Sequence, residues 1–116
     1  MDEQAVREHA EAYCGALLAG DIGRSAEEMS RELRSNLGPI VAMLPIPLTQ
    51  ATIESVAMAR TGWLAVLRLV GEHETVRLET RWKDRDGRPT MVEASHIPDK
   101  PVEPEMEADT TDSPQG

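Results

Sequence analysis

The sequence predicts an α+β domain in which N-terminal helices pack on one face of an antiparallel sheet. Up to about residue 37, apolar residues recur every three or four positions, which is typical of amphipathic helices. From Thr52 onward they alternate with a period of two, which is typical of strands. The connections between successive strands are short, and a parallel pair would need a long crossover, so we expect neighbouring strands to be antiparallel.

The first predicted helix carries an apolar stripe with helical spacing, made of Val6, Ala10, Tyr13 and Leu17. Charged residues occupy its other faces, and Gly20 supplies a stop signal. The pattern predicts a helix of about 16 residues.

A second helix is predicted to begin at Ser25, because Ser25 and Glu28 have the spacing of a capping box. The helix should end at the sequence Asn-Leu-Gly-Pro, residues 36–39. Its expected buried side chains are Ala26, Met29, Leu33 and Leu37. Pro45 and Pro47 forbid a continuous helix through residues 39–48, so a short helical turn and then an extended piece are expected there.

Four strands are predicted, and their ranges are 52–60, 63–71, 75–83 and 90–97. The second strand is apolar on both faces, because Leu64, Val66 and Val70 lie opposite its core residues and only Arg68 interrupts that face. Such a strand is usually covered on both sides, so a homodimer through the outer sheet face is expected. The alternative is that these three residues are ordinary exposed hydrophobes.

Composition divides the chain into a domain, residues 1–97, and an acidic C-terminal tail, residues 98–116. The tail holds six acids, one base and four prolines. Few of its side chains can be buried, so it is expected to be disordered.

The acidic balance of the chain, −9 overall, argues against nucleic-acid binding. Cys14 is the only cysteine and the three histidines are dispersed, so neither a disulfide nor a metal site is expected. No cofactor motif is present, no apolar run is long enough to span a membrane, and no signal peptide is recognisable. We therefore expect a cytoplasmic protein without a cofactor.

Two stretches resemble a known superfamily. A tyrosine-bearing helix closed by Ala-Leu-Leu-Ala-Gly-Asp (16–21), with a second helix starting at a serine, is similar to the opening of the nuclear transport factor 2-like superfamily. This superfamily includes ketosteroid isomerases and the polyketide cyclases related to SnoaL. The stretch VRLETRWKDRDGRPTMVEASH (76–96) resembles the last hairpin of the same fold.

The resemblance implies a cystatin-like cone, in which the curved sheet wraps around the first helix and encloses an apolar pocket. The first strand region is expected to be shortened. In the isomerase branch, the tyrosine matching Tyr13 is an oxyanion-hole donor, assisted by a protonated acid and a separate carboxylate base. Here Leu78 stands near the position of the assisting acid, and the segment expected to hold the base contains only Glu32. These departures argue against steroid-type isomerisation.

Other residues offer alternative chemistry beside Tyr13. His9 lies four residues before it, on the same helix face. His96 can point into the cone if Val92 and Ala94 face inward, and Glu93 takes that place if the strand is shifted by one residue. Either pair would suit an isomerase, cyclase or dehydratase acting next to a carbonyl. Against this, a tyrosine on an apolar stripe is commonly a core residue.

The sequence thus leaves three functions open. The first is the binding of a small apolar molecule in the cone, the second is catalysis by Tyr13 with His96 or Glu93, and the third is a dimeric interaction module with a filled pocket. The residues expected to line the pocket are His9, Tyr13, Leu17, Met29, Leu33, Leu78 and Trp82.

Overall fold

The first helix, α1, runs from Glu3 to Leu18, as the periodicity predicted. The structure is a computed structural model that describes residues 1–97; the acidic tail lies outside the described residues. The Asp2 side chain accepts a hydrogen bond from the backbone N–H of Ala5 at 2.9 Å and caps the helix. Gly20 follows with φ 75°, a left-handed conformation that glycine adopts easily, and the chain leaves the helix there.

Three short helices replace the predicted second helix. They are α2 (Ile22–Ala26), α3 (Arg31–Arg34) and α4 (Leu37–Ala42). The predicted start at Ser25 is wrong, because Asp21 caps α2 by accepting from the N–H of Arg24 at 3.0 Å. Ser25 lies inside α2, where its hydroxyl donates to the carbonyl of Ile22 at 2.7 Å.

The interruption after α2 has a physical cause in the sheet. The N–H of Ser30 donates to the carbonyl of Met91, and the N–H of Met91 donates to the carbonyl of Glu28, both at 2.8 Å. These backbone groups pair with a strand and are not available to continue a helix. Residues 36–39, predicted to end a helix, instead begin α4. Pro39 lies in the first turn of α4, where its missing N–H costs nothing.

The sheet contains four antiparallel strands in sequence order. They are β1 (Leu48–Met58), β2 (Trp63–Gly71), β3 (Thr75–Arg85) and β4 (Arg88–Ile97). The predicted strands are therefore confirmed, with β1 starting four residues earlier and the β3–β4 hairpin longer. Gly62, in the β1–β2 turn, has φ 87°, and a Cβ there would lie 2.3 Å from the carbonyl oxygen of Trp82.

Helix α1 packs on the inner face of this sheet and forms the core with it. The buried strand residues of the core include Ala65, Leu67, Leu69, Leu78, Trp82 and Met91. Helix α1 contributes Val6, Ala10, Tyr13, Cys14 and Leu17. The α+β arrangement expected from the sequence is thus confirmed.

An irregularity in the β3–β4 pairing fixes the faces of the last strand. Trp82 pairs with Met91 and Arg81 pairs with Glu93, so Val92 is an extra residue between two successive pairs. Such a bulge shifts the alternation by one residue. Ala94 and His96 pair with Thr80 and Leu78, on the inner face.

No helix in the part of the chain that the structure describes combines the length and the apolar character needed to cross a bilayer.

Candidate functional site

The hydroxyl group of Tyr13 is the unusual feature of the cone interior. The side chain is fully buried, and its hydroxyl oxygen has no hydrogen-bond partner within residues 1–97. Burial raises the pKa of the phenol well above its ordinary value, and the adjacent Cys14 adds to the effect. The hydroxyl therefore stays protonated and can donate a hydrogen bond.

The other expected pocket residues on the inner face are packed as core. Leu17, Met29, Leu78 and Trp82 are each at most 3% exposed. Three cavities in the described part of the chain have no lining contribution from Tyr13, Leu17, Leu78 or Trp82; Met29 lines one of them. In this structure the side chains themselves fill the centre of the cone.

A second polar group inside the core is fully hydrogen-bonded. The Thr80 hydroxyl donates to the carbonyl of Ala65 and accepts from the indole Nε1 of Trp82, with both distances 2.8 Å. Thr80 and Trp82 are both fully buried. The contrast with Tyr13 shows that this interior satisfies a polar group where a partner lies within reach.

The two alternative catalytic residues on β4 lie apart from Tyr13. Glu93 is exposed on the outer face, where its carboxylate pairs with Arg81 at 2.9 Å. Helix α1 packs on the opposite face, so the sheet separates Glu93 from Tyr13. His96 shares the inner face with Ala94 but is exposed near the end of the strand.

His9 belongs to a buried charge cluster that the sequence did not reveal. Its Nδ1 lies 2.7 Å from a carboxylate oxygen of Glu28, whose side chain is only 1% exposed. Arg24 and Arg88 also donate to Glu28, at 3.0 and 3.2 Å. We call Glu28, His9, Arg24 and Arg88 the Glu28 cluster; it joins α1, α2 and β4. Leu33, the remaining expected pocket residue, is half-buried on α3.

Opposing effects act on the Glu28 carboxyl group. Burial by itself would raise its pKa, but the hydrogen bonds from His9 and Arg24, with the positive charge of Arg88, lower it below the ordinary value. The carboxyl group is therefore ionised near neutral pH. An ionised carboxylate only accepts, so His9 carries its proton on Nδ1 in this contact.

Only one contact of this cluster has a local sequence pattern. Arg24 and Glu28 are four residues apart, a spacing that brings charges together on a helix. The same Glu28 also completes the capping-box pattern with Ser25, so the local sequence fits two different structures. The contacts with His9 and Arg88 depend on tertiary structure and have no local pattern.

A groove between α1 and β1 is lined by residues that follow Tyr13 directly in the sequence. Its volume is about 360 Å³, and its apolar lining consists of Cys14, Gly15, Leu18, Ala51 and Ile53. Arg7, Glu11 and Thr52 supply its polar lining. Burial and the charge of Glu11 raise the pKa of the Cys14 thiol to about 11, so the thiol is not a reactive thiolate.

The potential metal ligands within residues 1–97 do not cluster. No group of three or more His, Cys, Asp or Glu side chains is placed to hold an ion within that range. The described part of the chain therefore offers no candidate metal centre.

Comparison with known proteins supports the fold and leaves the function open. No protein-family model and no curated protein matches the sequence. Among solved structures, the chain is similar to an NTF-2-like protein of unknown function from Burkholderia xenovorans LB400. The TM-score is 0.58 at 13% sequence identity, over 88% of this chain and 90% of the other. The chain has the nuclear transport factor 2-like fold.

Proposed function

We propose that this protein binds a small apolar molecule that carries a hydrogen-bond acceptor, with Tyr13 as the donor. The observation that carries the proposal is the fully buried Tyr13 hydroxyl without a partner in the described chain. An unpaired buried hydroxyl costs on the order of 1–3 kcal/mol, and folded proteins leave few such groups. A ligand carbonyl that accepts from this hydroxyl would recover that free energy.

The groove between α1 and β1 is the proposed entry to the site. Its volume of about 360 Å³ lies within the range of small-molecule sites, and most of its lining is apolar. Cys14, next to Tyr13 in the sequence, lines the groove, whereas Tyr13 itself is buried behind it, so a ligand would have to enter between α1 and β1 to reach the hydroxyl. β1 pairs only with β2 in the described chain, so this side of the cone is an edge.

Titration of the full chain with 2-decanone tests the proposal. Binding is followed by NMR chemical shifts of residues on α1 and β1. We expect Tyr13→Phe to weaken binding about 5- to 10-fold, the value of one hydrogen bond of about 1–1.4 kcal/mol. Undecane, which lacks the carbonyl group, should bind wild type and Tyr13→Phe equally.

A substitution in the groove tests the entry path separately. Gly15→Leu should block the groove, and Gly15→Ala, the matched control, should leave binding intact, because a Cβ at Gly15 has no neighbour within 4 Å. No 2-decanone binding to wild type, or equal binding to Tyr13→Phe, would contradict the proposed function.

Two observations make catalysis a weaker alternative. Glu93 lies across the sheet from α1 and is paired with Arg81. His96 is exposed, and no described contact joins it to Tyr13. A proton transfer next to a bound carbonyl needs a base within hydrogen-bond reach, and neither residue has that position here.

We further propose that the chain forms a homodimer through the outer sheet face. Leu64, Val66 and Val70 are half-buried on this face, although α1 packs on the other side. Two ion pairs at 2.9 Å lie on the same face: Arg77–Glu54 joins β3 to β1 across β2, and Arg81–Glu93 joins β3 to β4. Interfaces commonly combine such polar groups with apolar ones. A second copy would cover the strip with the same residues.

Sedimentation velocity of the full chain distinguishes a dimer from a monomer. Val66→Lys should shift a dimer to monomer, and Ala42→Lys, on the exposed end of α4, should not. Circular dichroism confirms that both variants fold. A monomeric wild type at about 100 μM, far above the Kd of a stable dimer, would contradict the proposal.

A further inference from the structure

An open cleft lined by arginines lies outside the proposed ligand site. It is formed by α3 and the β3–β4 turn, and its volume is about 510 Å³. We call it the arginine cleft, after its residues Arg31, Arg34, Arg85 and Arg88. Three acids also line it, so the four arginines leave the lining with a formal net charge of +1 in a chain of net charge −9.

The neighbouring carboxylates neutralise this cleft only in part. Arg85 lies 3.8 Å from Glu32, and Arg88 is held by the buried Glu28 at 3.2 Å. Glu27 and Asp86 also line the cleft. Within residues 1–97, no carboxylate lies within 4.0 Å of the Arg31 or Arg34 guanidinium group. Both groups are therefore available to an anionic occupant.

We propose that the occupant of the arginine cleft is the acidic C-terminal segment of the same chain, residues 98–116. Six acids and one base make this segment complementary in charge to the cleft. Guanidinium groups bind carboxylates through paired hydrogen bonds, and the covalent link gives the segment a high effective concentration. The segment would then compete with other anions for the cleft.

The length of the chain decides which acids can reach the cleft. Arg88 lines the cleft at the start of β4, and Ile97 ends the strand about 30 Å away, at the usual rise per residue. An extended chain advances at most about 3.3–3.6 Å per residue. Asp99 and Glu103 are therefore too close to Ile97 to return to the cleft, whereas Asp109 and Asp112 can reach it.

This difference in reach provides a matched pair of full-length variants. Asp109→Asn with Asp112→Asn removes two charges that reach the cleft, and Asp99→Asn with Glu103→Gln removes two that do not. We expect the backbone amide NMR signals of Arg31, Arg34, Arg85 and Arg88 to shift in the first variant and to stay unchanged in the second. Unchanged signals in both variants, or equal shifts in both, would overturn the proposal.

The arginine side provides the reciprocal test. Arg31→Gln with Arg34→Gln should shift the amide signals of Asp109 and Asp112, and Arg60→Gln, in the β1–β2 turn, should not. Raising NaCl from about 0.05 to about 0.5 M should move the wild-type cleft signals toward those of the Asp109/Asp112 variant, because salt screens exposed charges. Signals that change on tenfold dilution would assign the segment to a second copy and overturn the docking within one chain.

Discussion

His9 and Glu28 lie 2.7 Å apart, although 19 residues separate them in the sequence. The contact joins α1 to the segment that follows α2, and Arg88 adds β4 to the same carboxylate. A buried carboxylate is tolerated only when its lone pairs are used, and here three cationic or polar groups use them. The Glu28 cluster therefore fixes how the helices meet the last strand.

Neutralising this carboxylate should destabilise the fold. We expect Glu28→Gln to lower the free energy of unfolding by about 1–2 kcal/mol. Solvent screening keeps the expected change this small, because the side chains of Arg24 and Arg88 are 44% and 50% exposed. Urea denaturation measures the change. Glu27→Gln is the control, since its carboxylate is 64% exposed and should matter by less than about 0.5 kcal/mol. Equal stability of Glu28→Gln and wild type would show that the cluster contributes nothing net.

The Glu28 carboxyl group also makes the stability of the fold depend on pH. The folded pKa of Glu28 is below its unfolded value, so its stabilisation is fully present above the unfolded pKa. As the pH falls through the unfolded and then the folded pKa, the carboxylate takes up a proton and the stabilisation is lost. The stability difference between wild type and Glu28→Gln should therefore be constant near pH 6–7 and shrink below about pH 4.5. A difference that grows in acid would contradict this assignment.

The strands and α1 could be predicted because their signals are local. Val76, Leu78, Thr80 and Trp82 alternate with charged or polar residues along β3, and all four are buried. The stripe on α1 likewise predicted its buried residues. In both elements the hydrophobic period coincides with the backbone period, so tertiary packing agrees with the local pattern.

The region between α1 and β1 could not be predicted in the same way. Ser25 and Glu28 satisfied a capping pattern, but the backbone at Glu28 and Ser30 pairs with Met91, 61 or more residues away. The bulge at Val92, which sets the faces of Glu93 and His96, likewise follows from pairing with β3. Long-range pairing decides both features, and short sequence patterns do not contain it.

Removal of the Tyr13 hydroxyl should not destabilise the protein when no ligand is bound. Tyr13→Phe removes a buried polar atom that has no partner, so we expect the variant to be as stable as wild type or more stable by about 1 kcal/mol. Thermal and urea denaturation measure this. A loss of more than about 1 kcal/mol would show that the hydroxyl has a partner, such as an internal water, in the free protein.

Gly15 predicts a gain in stability from a single methyl group. It lies exposed inside α1, where a Cβ meets no atom within 4 Å, so Gly15→Ala should stabilise by about 0.5–1 kcal/mol through helix propensity. Gly62→Ala is the opposite case, because its Cβ would lie 2.3 Å from the Trp82 carbonyl oxygen at φ 87°. The midpoint of thermal unfolding should rise in the first variant and fall in the second, and a rise in both would contradict the turn geometry.

Thr80 predicts the cost of breaking a satisfied polar pair in the core. Thr80→Val keeps the shape of the side chain but leaves the Trp82 Nε1–H and the Ala65 carbonyl without the hydroxyl that now joins them at 2.8 Å. We expect a loss of about 1–3 kcal/mol in the free energy of unfolding, with a blue shift of the tryptophan fluorescence as the indole loses its acceptor. Thr80→Ser keeps the hydroxyl and loses one methyl group, so it should cost only about 1 kcal/mol, with the fluorescence maximum unchanged. If Thr80→Val were the more stable of the two variants, burial of the methyl groups would outweigh the hydrogen bonds at this site.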